Sequence, residues 1–323
     1  MNDKRCDECD VSGIIESLSQ LFPGEIKEVD FNTNEGKRLY EETGVKYLPA
    51  ILFTEDVKNS DSYSKVERYL EPKGNYLSLR IGATFDPTAE ICDNGIDDDG
   101  DGKIDCEDES CAGNWKCMEK KETPEVELFV MSYCPFGTQM EKGILPVVEL
   151  LGDKIDFTVK FCDYAMHGKK ELDEQLLQYC IQEEQNDKFI DYLKCFLKEG
   201  KSDECIKEVE IDEAKLNTCI GIADARYKVS EDYEDKSTWK GAYPTFNIYK
   251  EDVDKYGVSG SPTLVINGVT ALTNRDPASL LDAICTGFIE KPEECNEELS
   301  SRVPSPGFGG TTLSSSSTSG SCD

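Results

Sequence analysis

Two cysteine-bearing segments of this 323-residue chain have the residue types for thiol–disulfide chemistry. The first is Cys6-Asp7-Glu8-Cys9, just ahead of a segment that reads as a helix. Thiols at that spacing can close a disulfide, and a helix N-terminus stabilises a thiolate on the first of them. Asp7 and Glu8 act against this, because nearby negative charge raises a thiol pKa. A raised pKa favours the oxidised pair and so predicts a reducing couple; a redox titration returning a strongly oxidising potential sinks that expectation. The second segment is Cys134-Pro135-Phe136-Gly137, where a strongly β-forming run, Val126 to Met131, meets the start of a helix. Here Gly137 stands where a second thiol would close the pair. A thiolate at Cys134 can still attack a disulfide and form a mixed disulfide. Release then takes an outside thiol, the first domain or another cysteine such as Cys162. That pattern predicts isomerase or monothiol behaviour more than net oxidation. The competing reading is a decayed site kept for binding or stability.

Composition sets the compartment expected for this chemistry. Fifteen cysteines are more than a reducing cytosol supports without metal sites or redox work. Zinc is disfavoured: there is one CxxC and a single histidine, His167. Disulfides in an oxidising, extracytoplasmic setting are the better reading, and the odd count leaves at least one thiol free or intermolecular. Cys322, in the C-terminal tail, is a candidate for an intermolecular link; Cys285 and Cys295 straddle the last helix and clip its end; His167 reads as a surface or hydrogen-bonded residue rather than a base. A net charge of −31 repels phosphate backbones and excludes nucleic acid as a partner. No run of about 18 apolar residues is present, so no membrane span is expected. The first ten residues are charged, with no apolar h-region of a signal peptide.

The elements that must hold these cysteines can be read from periodicity and from two prolines. In the first part, Val11 to Phe22 and Asn34 to Thr43 read as helices, and Ile26 to Phe31, Ala50 to Phe53 and Tyr76 to Ile81 as strands. Leu48-Pro49 opens the strand at Ala50, an unusual place for a residue that cannot donate to a ladder. In the second part, Val126 to Met131 is a strand and the helix after Cys134 runs to about Leu151, with Pro146 expected to kink it. A strand from Lys154 to Phe161 follows, then a long helical stretch from about Lys169 to Lys228. Ser261-Pro262 opens Thr263 to Ile266, and Pro277 to Phe288 reads as a final helix.

Cys6–Cys9 followed about forty residues later by Leu48-Pro49 resembles the thioredoxin fold. In that fold the proline is cis and lies against the active-site disulfide. The fold needs a strand before its CxxC, and only Met1 to Arg5 precede it, so the expectation is a truncated N-terminus or a strand supplied otherwise. Residues 124–290 resemble the DsbA branch of the thioredoxin superfamily. Cys162, His167-Gly168 and the cysteine-bearing helical insertion are also similar to the gamma-interferon-inducible lysosomal thiol reductase family. These resemblances imply a thiol nucleophile at Cys6 or Cys134 and a cis-proline loop that presents Leu48 and Pro49, or Ser261 and Pro262, to a substrate peptide. They also imply structural disulfides among Cys180, Cys195, Cys205 and Cys219. Partners so implied are proteins bearing thiols or disulfides and, less directly, a membrane quinone-linked oxidase that regenerates the disulfide.

Between the two parts, the stretch from Asp97 to Asp108 follows a calcium-loop template. Carboxylates stand at loop positions one, three and five (Asp97, Asp99, Asp101), Gly102 at six and Ile104 at eight. Lys103 offers its carbonyl, and Asp105 and Asp108 complete the ligand set; Asp108 stands where an EF-hand has glutamate. The expectation is a structural Ca2+, with a solvated acidic linker as the alternative. The wider string Glu90-Ile91-Cys92-Asp93-Asn94-Gly95 resembles Cys-framed, Asp-rich repeats of surface proteins. Cys92, Cys106, Cys111 and Cys117 could form two disulfides of unread pairing.

The expected architecture is therefore α/β, with two thioredoxin-like domains. A thioredoxin-like domain spans 1–85 and an Asp/Cys-rich linker 86–123. A DsbA-like domain spans 124–299, with its insertion at about 165–245, and a disordered Ser/Gly tail covers 300–323. The function expected is an extracytoplasmic thiol–disulfide oxidoreductase or disulfide isomerase acting on proteins. The alternative is a non-catalytic surface or binding module whose cysteines are structural.

Overall fold

The computed structural model of the chain describes residues 1–6 and 9–309. The chain divides into two compact units, Met1–Ser110 and a second beginning at Cys111.

The first unit contains α1 (Ser12–Leu21), α2 (Asn34–Thr43), β1 (Ile51–Thr54), the single turn α3 (Tyr63–Val66), β2 (Leu70–Lys73) and β3 (Tyr76–Leu79). The Thr33 hydroxyl caps α2 by accepting from the Gly36 N–H at 3.0 Å, and Gly44, at φ 61°, ends it. Gly36 is required by contact: a Cβ there would lie 2.0 Å from the Asp30 carbonyl oxygen. The three strands form an antiparallel sheet in the order β1-β3-β2, and Gly74-Asn75 supply the two-residue turn of the β2–β3 hairpin.

The strand expected at Ile26 to Phe31 shrinks to an isolated parallel bridge between Asn2 and Asp30. Met1 and Asn2 nevertheless take a strand's place. The Met1 amine donates to the Ala50 carbonyl at 2.8 Å, and the Ala50 N–H donates back to Met1 at 2.9 Å. On the other side, Asn2 N–H donates to Val29 and Phe31 N–H to Asn2. A small core of Phe31, Val45, Leu48 and Ala50 packs beside this stub.

Residues 86–110 pack as part of this unit rather than as a separate linker. Arg5 ties them in: its guanidinium donates to Asp98 at 2.7 Å, to the Pro87 carbonyl at 2.9 Å and to Asp3 at 2.6 Å.

The second unit contains β4 (Glu125–Val130), α4 (Pro135–Leu151), β5 (Asp156–Phe161), α5 (Lys169–Glu184), α6 (Asn186–Glu199), α7 (Ser202–Glu208) and α8 (Glu213–Tyr227). It continues with α9 (Val229–Glu234), α10 (Lys250–Tyr256), β6 (Thr263–Ile266), β7 (Val269–Ala271) and α11 (Pro277–Cys285). The sheet order is β5-β4-β6-β7, with β4 parallel to β5 and antiparallel to β6. Strand alternation sorts β4 between two cores. Val126, Leu128 and Val130 enter the large core, whereas Phe129 and the following Met131 enter a smaller one that also holds Cys134 and Cys162. Helix α4 runs on through Pro146 to Leu151.

Disulfides join Cys180 of α5 to Cys219 of α8 and Cys195 of α6 to Cys205 of α7, stapling the helical insertion. Cys285 pairs with Cys295 beyond the end of α11. Part of the stretch expected to be a loose tail is packed. Residues 304–309 lie against α4: the Gly307 N–H donates to the Pro135 carbonyl at 2.9 Å, and Lys142 and Gln139 donate to carbonyls of this segment. Phe308 sits edge-on to Tyr133 and Phe196 and against Gly200. The aromatic anchor at Phe308 was hidden in a Pro/Gly/Ser-rich composition. Cys322 lies outside the described residues. Among the described residues, no helix is long and apolar enough to cross a membrane.

Candidate thiol sites and an acidic loop

Cys134 is built into the second unit by the run-out of β4. A turn closed by its own N–H on the Met131 carbonyl (2.9 Å) returns the chain, and Cys134 becomes the N-cap of α4. Pro135 follows at the first helical position, where its missing N–H is harmless. The thiol is free and buried, and it donates to the Ser261 carbonyl oxygen at 3.7 Å. The Ser261–Pro262 peptide bond is cis. The Ser261 hydroxyl accepts from the Met131 N–H at 2.9 Å, which fastens the proline loop to the strand that delivers the cysteine.

The same hydroxyl explains the glycine at position 137. A Cβ on Gly137 would lie 2.7 Å from Ser261 Oγ and 3.0 Å from the Met131 carbonyl oxygen. Any larger residue there, cysteine included, must displace Ser261. A second thiol at this position therefore needs the Ser261 side chain to shift.

A second free thiol, Cys162, is buried at the end of β5, its N–H donating to the Val130 carbonyl at 3.0 Å. Burial pushes the Cys162 thiol up to about 12, helped by Asp163, Cys134 and Glu171 and opposed by Lys240. Beside it, Lys240 pairs with Asp163 at 2.8 Å, and the Tyr164 hydroxyl donates to the Ser259 carbonyl at 3.2 Å. A cleft of about 560 Å3 opens here, lined by Tyr164, Lys240, Tyr243, Val258 and Ser259. His167 is held by hydrogen bonding: its Nδ1 lies 3.0 Å from a carboxylate oxygen of the fully buried Glu171, which also accepts from the Tyr133 N–H.

In the first unit Cys6 and Cys9 form a disulfide. Cys9 is the buried member, with its sulfur 3.8 Å from the Leu48 carbonyl oxygen, and the Leu48–Pro49 bond is cis. Both units thus set a cysteine sulfur against the carbonyl that precedes a cis-proline. The sulfur concerned is the second of the pair in one unit and the lone thiol in the other. Helix α1 begins only at Ser12, with Val11 as its N-cap. Cys6 is therefore not at the helix N-terminus, and the dipole argument made for it from sequence does not apply. Asp7 and Glu8 lie outside the described residues.

The acidic loop closes on itself as the template requires. Asp97 accepts from Gly100 N–H at 2.8 Å and Gly102 N–H at 3.0 Å, Asp99 from Asp101 N–H and Asp101 from Lys103 N–H. Carboxylate oxygens converge in two overlapping groups, Glu90 with Asp97 and Asp99, and Asp99 with Asp101 and Asp108. Asp105 is in neither: at φ 51° it turns away and accepts from the Asn94 and Gly95 N–H groups. Glu90 takes its place in the cluster, holding the loop by accepting from Asp98 and Asp105 N–H. No template position marks Glu90; its only sequence signal is its place at the head of the Cys-framed string. The Lys103 ammonium is turned to Glu109.

The donor set fits a hard cation. Every converging atom is a carboxylate oxygen, and Asp108 Oδ2 is buried without a hydrogen-bond partner. The Asp99 carboxyl is also affected: the Asp101 N–H stabilises its charge, yet burial and the carboxylates of Asp101, Asp108 and Glu90 carry it above its ordinary range. Cys92 and Cys106 of this unit are both disulfide-bonded, as are Cys111 and Cys117 of the second.

No protein-family model matches the chain, and no curated protein matches it either. Among solved structures, the chain is similar to reduced DsbA from Mycobacterium tuberculosis, at 15% identity and a TM-score of 0.38, over 55% of this chain and 94% of that one. It is similar to reduced DsbG from the same organism, at 16% and 0.38, over 55% and 89%. It is also similar to oxidised BdbD from Bacillus subtilis, at 18% and 0.35, over 52% and 89%. What the site does must be argued from its own residues.

Proposed function

We propose that this protein is an extracytoplasmic thiol–disulfide oxidoreductase or disulfide isomerase acting on protein substrates. One observation carries the reading: a free cysteine at the N-cap of α4, its sulfur 3.7 Å from the carbonyl before a cis-proline. A helix N-terminus favours negative charge at that position. An extended substrate segment adds alongside the Ser261–Pro262 loop by main-chain hydrogen bonds. The Cys134 thiolate then attacks a substrate disulfide, a new S–S bond forms as the old one breaks, and the departing sulfur leaves as a thiolate that takes up a proton.

In the first unit, Cys6 and Cys9 with Leu48 and Pro49 form the dithiol centre of a second thioredoxin-like domain, Cys6 being the more accessible sulfur. Its oxidant or reductant is a partner protein; a membrane disulfide-generating oxidase has the chemistry for the oxidising direction. The acidic loop binds structural Ca2+ through Glu90, Asp97, Asp99, Asp101 and Asp108. There the ion would neutralise mutually repelling carboxylates, while Asp97 folds the loop and Glu90 anchors it.

The test is disulfide exchange on a scrambled substrate, comparing wild type with Cys6→Ser and Cys134→Ser. Loss of activity in one variant identifies that cysteine as the nucleophile; an inert wild type rejects the enzymatic reading. A binding or surface module is the second reading, and the closure of position 137 by Ser261 favours it. It predicts full peptide binding in Cys134→Ser.

A further inference from the structure

We infer that Cys134 and Cys162 form the redox couple of the second unit, closing a disulfide across the ends of two adjacent parallel strands in place of a CxxC. The inference rests on the proposed reading of Cys134 as a nucleophile and adds its resolving partner.

Four observations converge on it. Cys134 and Cys162 are the free thiols among the described residues, and both are buried. Their side chains enter the same small apolar cluster, with Phe129, Met131, Val258 and Val265, and so share one face of the sheet. Their backbones are fixed to consecutive residues: Cys162 N–H donates to Val130 and Cys134 N–H to Met131. The turn that returns Cys134 to the end of β4 thus brings it back toward the strand end beside which Cys162 is fixed, and the charge of Cys134 is felt at the Cys162 thiol. Finally, position 137, from which a resolving thiol would ordinarily act, carries a glycine, and a Cβ there would press on the Ser261 hydroxyl at 2.7 Å.

The chemistry balances as follows. Cys134 attacks the substrate disulfide, forming the mixed disulfide and releasing the first substrate sulfur as a thiol. Cys162 then bonds to Cys134 Sγ while its proton passes to the second substrate sulfur, which departs as the mixed disulfide breaks. The substrate gains two electrons and two protons, and the protein holds one new disulfide. A low-molecular-weight thiol or a partner dithiol restores it. With its thiol held protonated by burial and by the neighbouring acids, Cys162 is not itself an attacking group for incoming substrate. It acts once Cys134 Sγ has been made electrophilic beside it.

The full chain is treated with 5,5′-dithiobis(2-nitrobenzoate), and products are mapped by peptide mass spectrometry, so that thiols elsewhere do not enter the count. In wild type, two thionitrobenzoates are expected per Cys134, with a peptide cross-linked through Cys134 and Cys162 and no aryl adduct. Cys162→Ser and Cys162→Ala should stop at one, with the adduct held on Cys134. A wild type that retains the aryl adduct on Cys134 as fully as the Cys162 variants overturns the couple but leaves the nucleophile intact. Absence of any reaction at Cys134 in all three proteins overturns the nucleophile and the couple together. The wild-type measurement needs no variant to fold.

Discussion

Gly137 and Ser261 decide between them what the second thiol site accepts. Restoring a cysteine by Gly137→Cys forces a Cβ to 2.7 Å from Ser261 Oγ, an overpacking cost of about 1–3 kcal/mol. Ser261→Ala removes the clashing atom, so the double variant should recover much of that loss; a double-mutant cycle by urea unfolding reads the coupling. Glu141 makes a second prediction. It is fully buried on α4 with both carboxylate oxygens unpartnered, and burial followed by the charge of Glu174 raises its pKa well above the ordinary range. A folded-state pKa above the unfolded one means full stability below the unfolded value of 4.5 and loss as pH rises through the folded one. Glu141→Gln should therefore stabilise at neutral pH by about 1–3 kcal/mol, with the gain vanishing below pH about 4.5. Thermal melts across that range check it. The cysteines and the two cis-prolines were legible because their residue types are rare and their spacing is chemical. Glu90 and Glu141 were not, because a carboxylate's burial is decided by what packs over it. Asp105 was misplaced because a loop template counts positions and does not see a backbone turned to φ 51°.

At the scale of elements, β4 and α4 deliver the site together. Strand β4 could be read from its run of β-forming residues, and the apolar length of that run reflects burial of both faces by different partners. The strand at Ile26 to Phe31 could not be settled from its own sequence, because a strand exists only with a partner, and the pairing that forms there is the single bridge of Asp30 to Asn2. The strap at 304–309 was invisible for the opposite reason: its backbone bonds to Pro135, Lys142 and Gln139 serve a sequence that looks like linker. Phe308 is its one large apolar contact. Phe308→Ala should lower stability by about 1–3 kcal/mol, less than a fully buried phenylalanine, and raise amide exchange at Gly307 and Gly309. Hydrogen-exchange mass spectrometry of the 304–309 peptide tests this. Unchanged protection there would show that the backbone bonds alone hold the strap.

At the scale of the whole molecule, a net charge of −31 makes every convergence of carboxylates expensive unless something neutralises it. The acidic loop is the sharpest case. Calcium should raise the thermal midpoint of the first unit, by about 2.7 kcal/mol of stabilisation at a hundredfold excess over its dissociation constant. Asp108→Asn should remove most of that response while Asp105→Asn, outside both carboxylate groups, should keep it as long as its turn survives. Differential scanning calorimetry with calcium and with chelator separates the two. The division into units at Ser110 was only half legible: composition marks where apolar content falls, but Arg5 draws residues 86–110 into the first unit through contacts no composition reveals.

The contact between Gly137 and Ser261 also constrains descent. A lineage carrying this pair should gain a second thiol at position 137 more readily after serine 261 has lost or moved its hydroxyl, because the reverse order passes through an overpacked intermediate. Yet that hydroxyl fastens the proline loop to the strand behind Cys134, so the permissive first step loosens the very site it prepares. The two substitutions should therefore be epistatic, and a library varying both positions together should return the dithiol form more often than successive single-site selection.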